Sequence, residues 1–251
     1  MQESRRESTG ASGSSRRAAG ETREAQGPLN TSARGAALGR FAALGQTGAP
    51  ARLGIMGGTF DPIHFGHLAC AQEALEALDL DGVLFMPAGI PSFKRDRAVS
   101  PAADRVRWCR KAVAGNEAFD VSTLEVDRPG VTYAVDTLAH LRDAYPSCVE
   151  LFFIVGADAA LTLPRWYESE RLASLARFAV ATRPGYTVSA EDRRSLEEHG
   201  FLLDFFEVTP LDISSSDLRG RLASGRSVRY LTPDAVAECL ADEHWYRKEV
   251  V

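Results

Sequence analysis

Residues 57–68, Gly-Gly-Thr-Phe-Asp-Pro-Ile-His-Phe-Gly-His-Leu, join a short apolar run, Leu53 to Met56, to a helix-like run from Leu68 to Leu78. Strand, glycine loop, helix is the arrangement that brings a phosphate to backbone N–H groups and a helix N-terminus. Within it, His64 and His67 lie three residues apart across Gly66. On the first turn of a helix that separation is nearly one turn, so both imidazoles can face the same point. Two imidazole donors at a helix N-terminus suit a phosphate whose charge changes during a reaction. A glycine pair after a strand is common, and a single histidine is more often a satisfied surface or core residue. Packing alone, however, gives no reason for two histidines around a glycine at the mouth of a strand–helix unit. Zinc ligation is the competing reading, but only three other histidines and four scattered cysteines exist, none at ligand spacing. No metal-ligating side chains are therefore expected.

A second constellation, Ile213-Ser214-Ser215-Ser216-Asp217-Leu218-Arg219, follows the last strand-like run. Its serines supply N-cap hydroxyls to a helix that continues through Leu222, with Arg219 one turn inside. Alone, this is a plain capped helix with a solvated arginine. Beside the first loop, it is a second helix N-terminus whose hydroxyls and guanidinium can hold the outer phosphates of a triphosphate. Two such termini in one domain point to nucleotidyl transfer.

These loops need a frame. Apolar strand-like runs recur at Leu53–Met56, Val83–Pro87, Leu151–Val155 and Phe178–Thr182, with a weaker one at Leu202–Val208. Between them lie helical stretches at Leu68–Leu78, Ala102–Ala114, Tyr133–Ala144, Glu168–Ala173 and Ala190–Glu198. Short strands apolar on both faces, alternating with helices, predict an α/β fold: a doubly wound, mostly parallel, Rossmann-like sheet with helices on both faces. Ligands in such sheets sit beyond the C-terminal strand ends at the switch point of strand order, where the loop from Gly57 to His67 belongs. That loop has neither a G-x-G-x-x-G fingerprint nor a Walker lysine, so phosphate must be held by another device.

Of the 251 residues, the first fifty are rich in Gly, Ala, Ser, Thr and Arg, with Phe41 the only aromatic. So little apolar content cannot offset the entropy of ordering, and residues 1–50 are expected to be a disordered extension before a domain at 51–251. Glu3, Glu7, Glu21 and Glu24 and the lack of an apolar core argue against a transit or signal peptide. The net charge of −5 argues against a broad nucleic-acid-binding face, and no run reaches transmembrane length. Cys70, Cys109, Cys148 and Cys239 show no pairing pattern, as expected of reduced thiols in a cytoplasmic protein.

With both constellations in view, the chain resembles the adenylyltransferases of the HxGH nucleotidyltransferase superfamily, and within it the bacterial nicotinate-nucleotide adenylyltransferase family. The resemblance runs from about Arg52 to Arg247. Its further landmarks are the Pro87–Lys94 loop, Thr132-Tyr133 with Asp136-Thr137-Leu138, Gly156-Ala157-Asp158 followed by Trp166-Tyr167, and Arg183-Pro184-Gly185-Tyr186. It implies that the 5′-phosphate of nicotinate mononucleotide attacks the α-phosphorus of ATP, giving nicotinate adenine dinucleotide and pyrophosphate. It also implies that His64 and His67 contact the reacting phosphates, that Arg219 holds the β- and γ-phosphates helped by Ser215 and Ser216, and that Ser214 belongs to the same phosphate site. Gly57, Gly58, Thr59, Phe60, Lys94, Gly156, Asp158 and Ile213 would complete the ATP side. Thr132, Val135, Asp136, Trp166, Tyr167 and Arg183 would take the mononucleotide, with Trp166 stacked on the pyridine. Mg²⁺ would be held mainly by the ATP phosphates, and the protein would be a monomer or homodimer.

The chain departs from the family pattern in three places. Pro91-Ser92-Phe93-Lys94 stands where many members carry Pro-Pro-His-Lys/Arg, Thr132-Tyr133-Ala134 where Ser-Tyr-Thr is common, and Ser214-Ser215-Ser216 where Ser-Ser-Thr is commoner. The second removes a hydroxyl near the nicotinate pocket, which leaves carboxylate recognition to backbone donors and leaves nicotinamide mononucleotide open as the substrate. Another HxGH transferase, or a non-catalytic nucleotide sensor on the same fold, are the remaining alternatives.

Overall fold

Along residues 51–58 the side chains alternate between two buried faces. Leu53 and Ile55 enter one hydrophobic cluster and Met56 another. Along residues 149–156, Leu151, Phe153 and Val155 join the first cluster, while Phe152 and Ile154 join the second. Period-two alternation with both faces apolar makes these segments strands of a parallel sheet between two helical layers. The computed structural model, which describes residues 35, 37–91, 99–183, 185, 188–243 and 245–246, has that arrangement. Its strands are β1 (Ala51–Gly58), β2 (Gly82–Pro87), β3 (Ile90–Pro91), β4 (Phe119–Val121), β5 (Val131–Thr132), β6 (Val149–Gly156), β7 (Arg177–Thr182) and β8 (Leu203–Glu207). The helices used below are α1 (Phe65–Ala77), α2 (Ala102–Val113), α3 (Ala134–Ala144), α4 (Ala157–Ala160), α5 (Ser169–Leu175), α6 (Ala190–Glu198), α7 (Ser215–Ala223) and α8 (Asp234–Asp242).

The main sheet has strand order β4-β2-β1-β6-β7-β8, with every neighbouring pair parallel. The chain moves outward from β1 through β2 to β4, then returns to β6 on the other side of β1 and moves outward again. The order therefore reverses between β1 and β6, and the C-terminal ends there carry Gly57, Gly58 and Gly156. β3 and β5 form a separate parallel pair.

All five strand-like runs fall on strands, and the expected doubly wound sheet is the observed one. Two boundaries differ for a local reason. α1 starts at Phe65, three residues before the expected start, because His64 is already extended and caps it. Tyr133 is likewise the extended N-cap of α3, so the helix begins at Ala134.

The expected start of the folded part at residue 51 is corrected. Ala37, Leu38 and Phe41 are buried in the first cluster, and Gly39–Ala43 form a turn of 3₁₀ helix. The Phe41 ring lies on Gly82, where a Cβ would come within 2.2 Å of it. Arg40 N–H donates to Asp120 Oδ2 at 2.7 Å, tying the segment to β4. One aromatic, one leucine and one alanine are enough to dock it, although the average composition of residues 1–50 is that of an unfolded chain. Residues 1–34 lie outside the described residues. Among the described residues no helix is long and apolar enough to cross a membrane.

Candidate active site

The loop leaving β1 turns sharply. Phe60 sits at φ 49°, in the left-handed region that costs a non-glycine residue on the order of 1 kcal/mol. The turn buries its ring, whose centroid lies 5.1 Å from that of His67 in an edge-on contact. His64 then opens α1, and its backbone N–H donates to Nδ1 of His67 at 3.2 Å. With Nδ1 accepting, a neutral His67 carries its proton on Nε2. The two imidazoles stack with centroids 3.7 Å apart and 28° between their planes. Gly66 makes room for this: a Cβ there would lie 3.1 Å from two atoms of the His64 ring. Burial lowers the His64 pKa to about 4, so at neutral pH it is an uncharged ring.

The second constellation docks on the same loop. Ser214 caps α7 by accepting from the Asp217 N–H at 3.1 Å. Ser215 Oγ donates to the Pro62 carbonyl at 2.9 Å, and Arg219 donates to the Asp61 carbonyl at 2.6 Å and to Ser216 Oγ at 2.9 Å. The N-terminus of α7 is thus held against the backbone that leads into His64.

Two cavities open at the C-terminal edge of the switch point. The larger, about 820 Å³, is lined by Gly57, Gly58 and Thr59 at the end of β1, by Thr132, Tyr133 and Val135 at the start of α3, and by Trp166 and Tyr167. The smaller, about 320 Å³, is lined by His64, Gly66, Asp158, Arg183 and Ile213. Met56, His67, Cys70 and Gly156 line both. Trp166 is held by its indole N–H, which donates to Thr162 Oγ1 at 2.9 Å, and by an edge contact with Phe153. Tyr167 lies against Tyr133, centroids 4.5 Å apart.

The residues singled out from sequence sort unevenly over this geometry. Arg183, expected on the mononucleotide side, lines the smaller cavity with Asp158. Asp136 in the first turn of α3 and the buried Phe60 line neither cavity. Ser214, Ser215, Ser216 and Arg219 also line neither; they stand beyond His64 on the Asp61–Pro62 backbone. Lys94 lies outside the described residues. Among the described residues no group of three or more His, Cys, Asp or Glu side chains is placed to hold a metal ion.

Three residues that support this edge were missed from sequence. Arg105 of α2 is only 1 % exposed and donates to three loop carbonyls: Ser100 at 2.9 Å, Thr59 at 2.8 Å and Gly89 at 3.1 Å. Its position among the buried Val106, Trp108 and Cys109 was the available signal, since an arginine on an apolar helix face needs internal acceptors. Glu125, buried on the wall of the larger cavity, accepts from Thr137 Oγ1 at 2.6 Å. Burial raises its pKa to about 7, against smaller opposing effects of that hydrogen bond and of Arg128 and Arg105. Tyr246 donates to the Asp61 carboxylate across 185 residues, and nothing in local sequence announces that contact.

A doubly wound sheet with a glycine strand end and paired histidines at its switch point defines a nucleotidyltransferase, and residues 55–221 match the cytidylyltransferase-like family model. Solved structures share the fold. Plasmodium falciparum nicotinic acid mononucleotide adenylyltransferase complexed with NaAD superposes with a TM-score of 0.64 at 15 % identity, covering 78 % of this chain and 97 % of that one. Sequence relatives are nearer. A protein of Corynebacterium kroppenstedtii named "Probable nicotinate-nucleotide adenylyltransferase" is 45 % identical over 78 % of this chain and 90 % of its own length. Equally named proteins of Roseiflexus sp. and Streptomyces coelicolor are 46 % and 47 % identical over 78 % and 77 % of this chain, and over 98 % and 100 % of their own lengths. The chain belongs to the nicotinate-nucleotide adenylyltransferase family.

Proposed function

We propose that this protein transfers the adenylyl group of ATP to nicotinate mononucleotide. A 5′-phosphate oxygen of the mononucleotide attacks the α-phosphorus of ATP. The bond from that phosphorus to the bridging oxygen breaks, and pyrophosphate leaves with the electron pair. No proton need move, so positioning and charge stabilisation carry the catalysis. The observation that carries this reading is the meeting of two unequal cavities at His67 and Gly156, with glycine backbone at the junction.

In this reading the larger cavity takes the mononucleotide. Trp166 offers an indole face to the pyridine, the N–H groups near Val135 and Tyr167 meet its carboxylate, and Thr132 and Asp136 support that wall. The smaller cavity takes the adenosine, with Asp158 suited to ribose hydroxyls and Ile213 to an apolar face; its content of Arg183 favours a role for that guanidinium on the ATP side. Gly57, Gly58 and Thr59 let the α-phosphate approach the backbone. His64, uncharged, and His67 donate N–H groups to its oxygens. Arg219, kept on the Asp61 carbonyl by Nη1, presents Nη2 to the β- and γ-phosphates, with Ser215 and Ser216 beside it, and Lys94 adds charge. Bound Mg²⁺ would neutralise phosphate charge. Backbone amides, imidazoles and hydroxyls fit an ion whose ligands are chiefly ATP oxygens, as a hard cation prefers.

The test is pyrophosphate release from ATP, Mg²⁺ and nicotinate mononucleotide, run beside nicotinamide mononucleotide. Faster turnover with nicotinate mononucleotide is expected. A preference for the amide would overturn the choice of acceptor, and release with neither would overturn the reaction.

A further inference from the structure

The aspartate of the histidine loop is held from the far end of the chain. Asp61 is 1 % exposed, and its Oδ1 accepts from the Tyr246 hydroxyl and from the Ser100 N–H, the latter at 3.4 Å. The Tyr246 oxygen in turn accepts from Ser100 Oγ at 2.8 Å. Ser100 is fixed through its own carbonyl, which accepts from Arg105 Nε at 2.9 Å. The tyrosine is placed by packing: Trp245 meets Trp108 edge-on with centroids 5.1 Å apart, and Tyr246 lies 6.4 Å from the same indole. The backbone of the anchored aspartate then faces the phosphate side. The Asp61 carbonyl accepts from Arg219 and the next carbonyl, Pro62, from Ser215 Oγ.

We propose that Tyr246 is a positioning residue for the phosphate site, its hydroxyl setting the Asp61–Pro62 backbone on which Arg219, the N-terminus of α7 and His64 are aligned. The argument is one of connectivity. Asp61 is joined by its side chain to the C-terminal segment and by its carbonyl to Arg219, so a displacement at one end is passed to the other through a single residue. Burial, and the Asp61 carboxylate beside it, push the Tyr246 phenol above its ordinary pKa, so it remains a donor at any pH suited to assay. The role falls on the triphosphate side, because the walls of the larger cavity at Thr132, Val135 and Trp166 make none of these bonds, and only its Thr59 edge meets the relay, through Arg105.

The inference rests on the proposed reaction for its kinetic readout, and a binding readout separates the two. Tyr246→Phe keeps the ring beside the two tryptophans and removes only the hydroxyl. In pyrophosphate-release assays its KM for ATP is expected to rise at least about fivefold, with KM for nicotinate mononucleotide within about twofold of wild type. Ser100→Ala, which removes the second hydroxyl of the relay, should move KM for ATP in the same direction by less. A merely structural hydroxyl would lower the melting temperature and leave both KM values in place, and that result overturns the proposal. If Tyr246→Phe does not fold, the Ser100→Ala result decides. If the wild type binds ATP in calorimetry but releases no pyrophosphate, the reaction is wrong, and the ratio of ATP Kd values between wild type and Tyr246→Phe decides the positioning role. Absence of ATP binding by the wild type overturns both.

Discussion

Burial holds the His64 imidazole near a pKa of 4, so at pH 7 it offers an N–H without a charge. The cost appears in stability. The unfolded ring titrates near 6.5, so between those values the unfolded chain binds more protons than the folded one. The stabilising contribution is complete above pH 6.5 and is lost as the pH falls toward 4. Glu125 has the opposite sign. Its folded pKa is raised from 4.5 to about 7, so its contribution is complete below 4.5 and is lost as the pH rises through 7. Each shift corresponds to at most about 3 kcal/mol. Glu125→Gln should therefore gain stability over wild type steadily from about pH 5 to about pH 8, and His64→Asn should lose the wild-type decline below about pH 6.5. Thermal melts across that range check both; a stability difference between Glu125→Gln and wild type that does not vary with pH would sink the assignment for the carboxyl. His67 is a different case, since it lines both cavities. In the proposed reaction its N–H donates to the transferring phosphate as charge develops there, so His67→Ala should lower kcat about 10²- to 10³-fold. Its melting temperature should stay within a few degrees, and parallel losses of activity and melting temperature would instead mark a structural histidine.

Between elements, the most telling contacts are those of Arg105. One guanidinium joins the loop after β1, the loop after β2 and the turn before α2 by donating to Thr59, Gly89 and Ser100. Burial lowers its pKa, yet it stays charged, and the charge is offset by Asp61 nearby. Arg105→Gln cannot reach three carbonyls, and it leaves Asp61 with less compensation. A loss of about 3–5 kcal/mol is expected, measured by urea denaturation; a loss below about 1 kcal/mol would show that the three loops hold without the clasp. This contact also marks how far sequence could reach. β1, β2, β6, β7 and β8 were legible because apolar runs of four or more residues are a local signal. β4 has only three residues, too few for one. The helix α8 was overlooked although Val236, Ala237 and Leu240 carry helical spacing behind Pro233. The motif residues of the phosphate loops could be read from their neighbours in the chain. The Arg105 clasp and the Tyr246 hydroxyl could not, because their partners lie up to 46 and 185 residues away. The resemblance implies a place for Arg183 on the mononucleotide side, whereas its side chain lines the smaller cavity with Asp158, and a loop position does not tell which side of β7 it serves.

Taken whole, the molecule folds around a sheet whose outer half leans on a segment that composition assigns to the tail. Phe41 packs on Gly82 of β2, and Arg40 bonds Asp120 of β4, so residues 37–44 cover the strands outward of the switch point. Gly45 continues the attachment by accepting from Cys148 Sγ at 3.4 Å, just ahead of β6. A segment touching β2, β4 and the start of β6 spans the reversal in strand order from the edge away from the site, where it bears on stability and not on chemistry. Its removal should therefore separate the two. Phe41→Ala leaves a void over Gly82 that backbone cannot fill, and should cost about 3–4 kcal/mol. A chain starting at residue 35, which keeps the segment, should melt like the full-length protein, whereas one starting at residue 47 should melt lower by at least as much as Phe41→Ala. At a temperature where all four are folded, KM for ATP and for nicotinate mononucleotide should be the same. If the chain starting at residue 47 melts like the full-length protein, the segment contributes nothing to the core. If KM moves with the melting temperature, the segment reaches the site after all, through the β2 end that carries Gly89 and the Arg105 clasp.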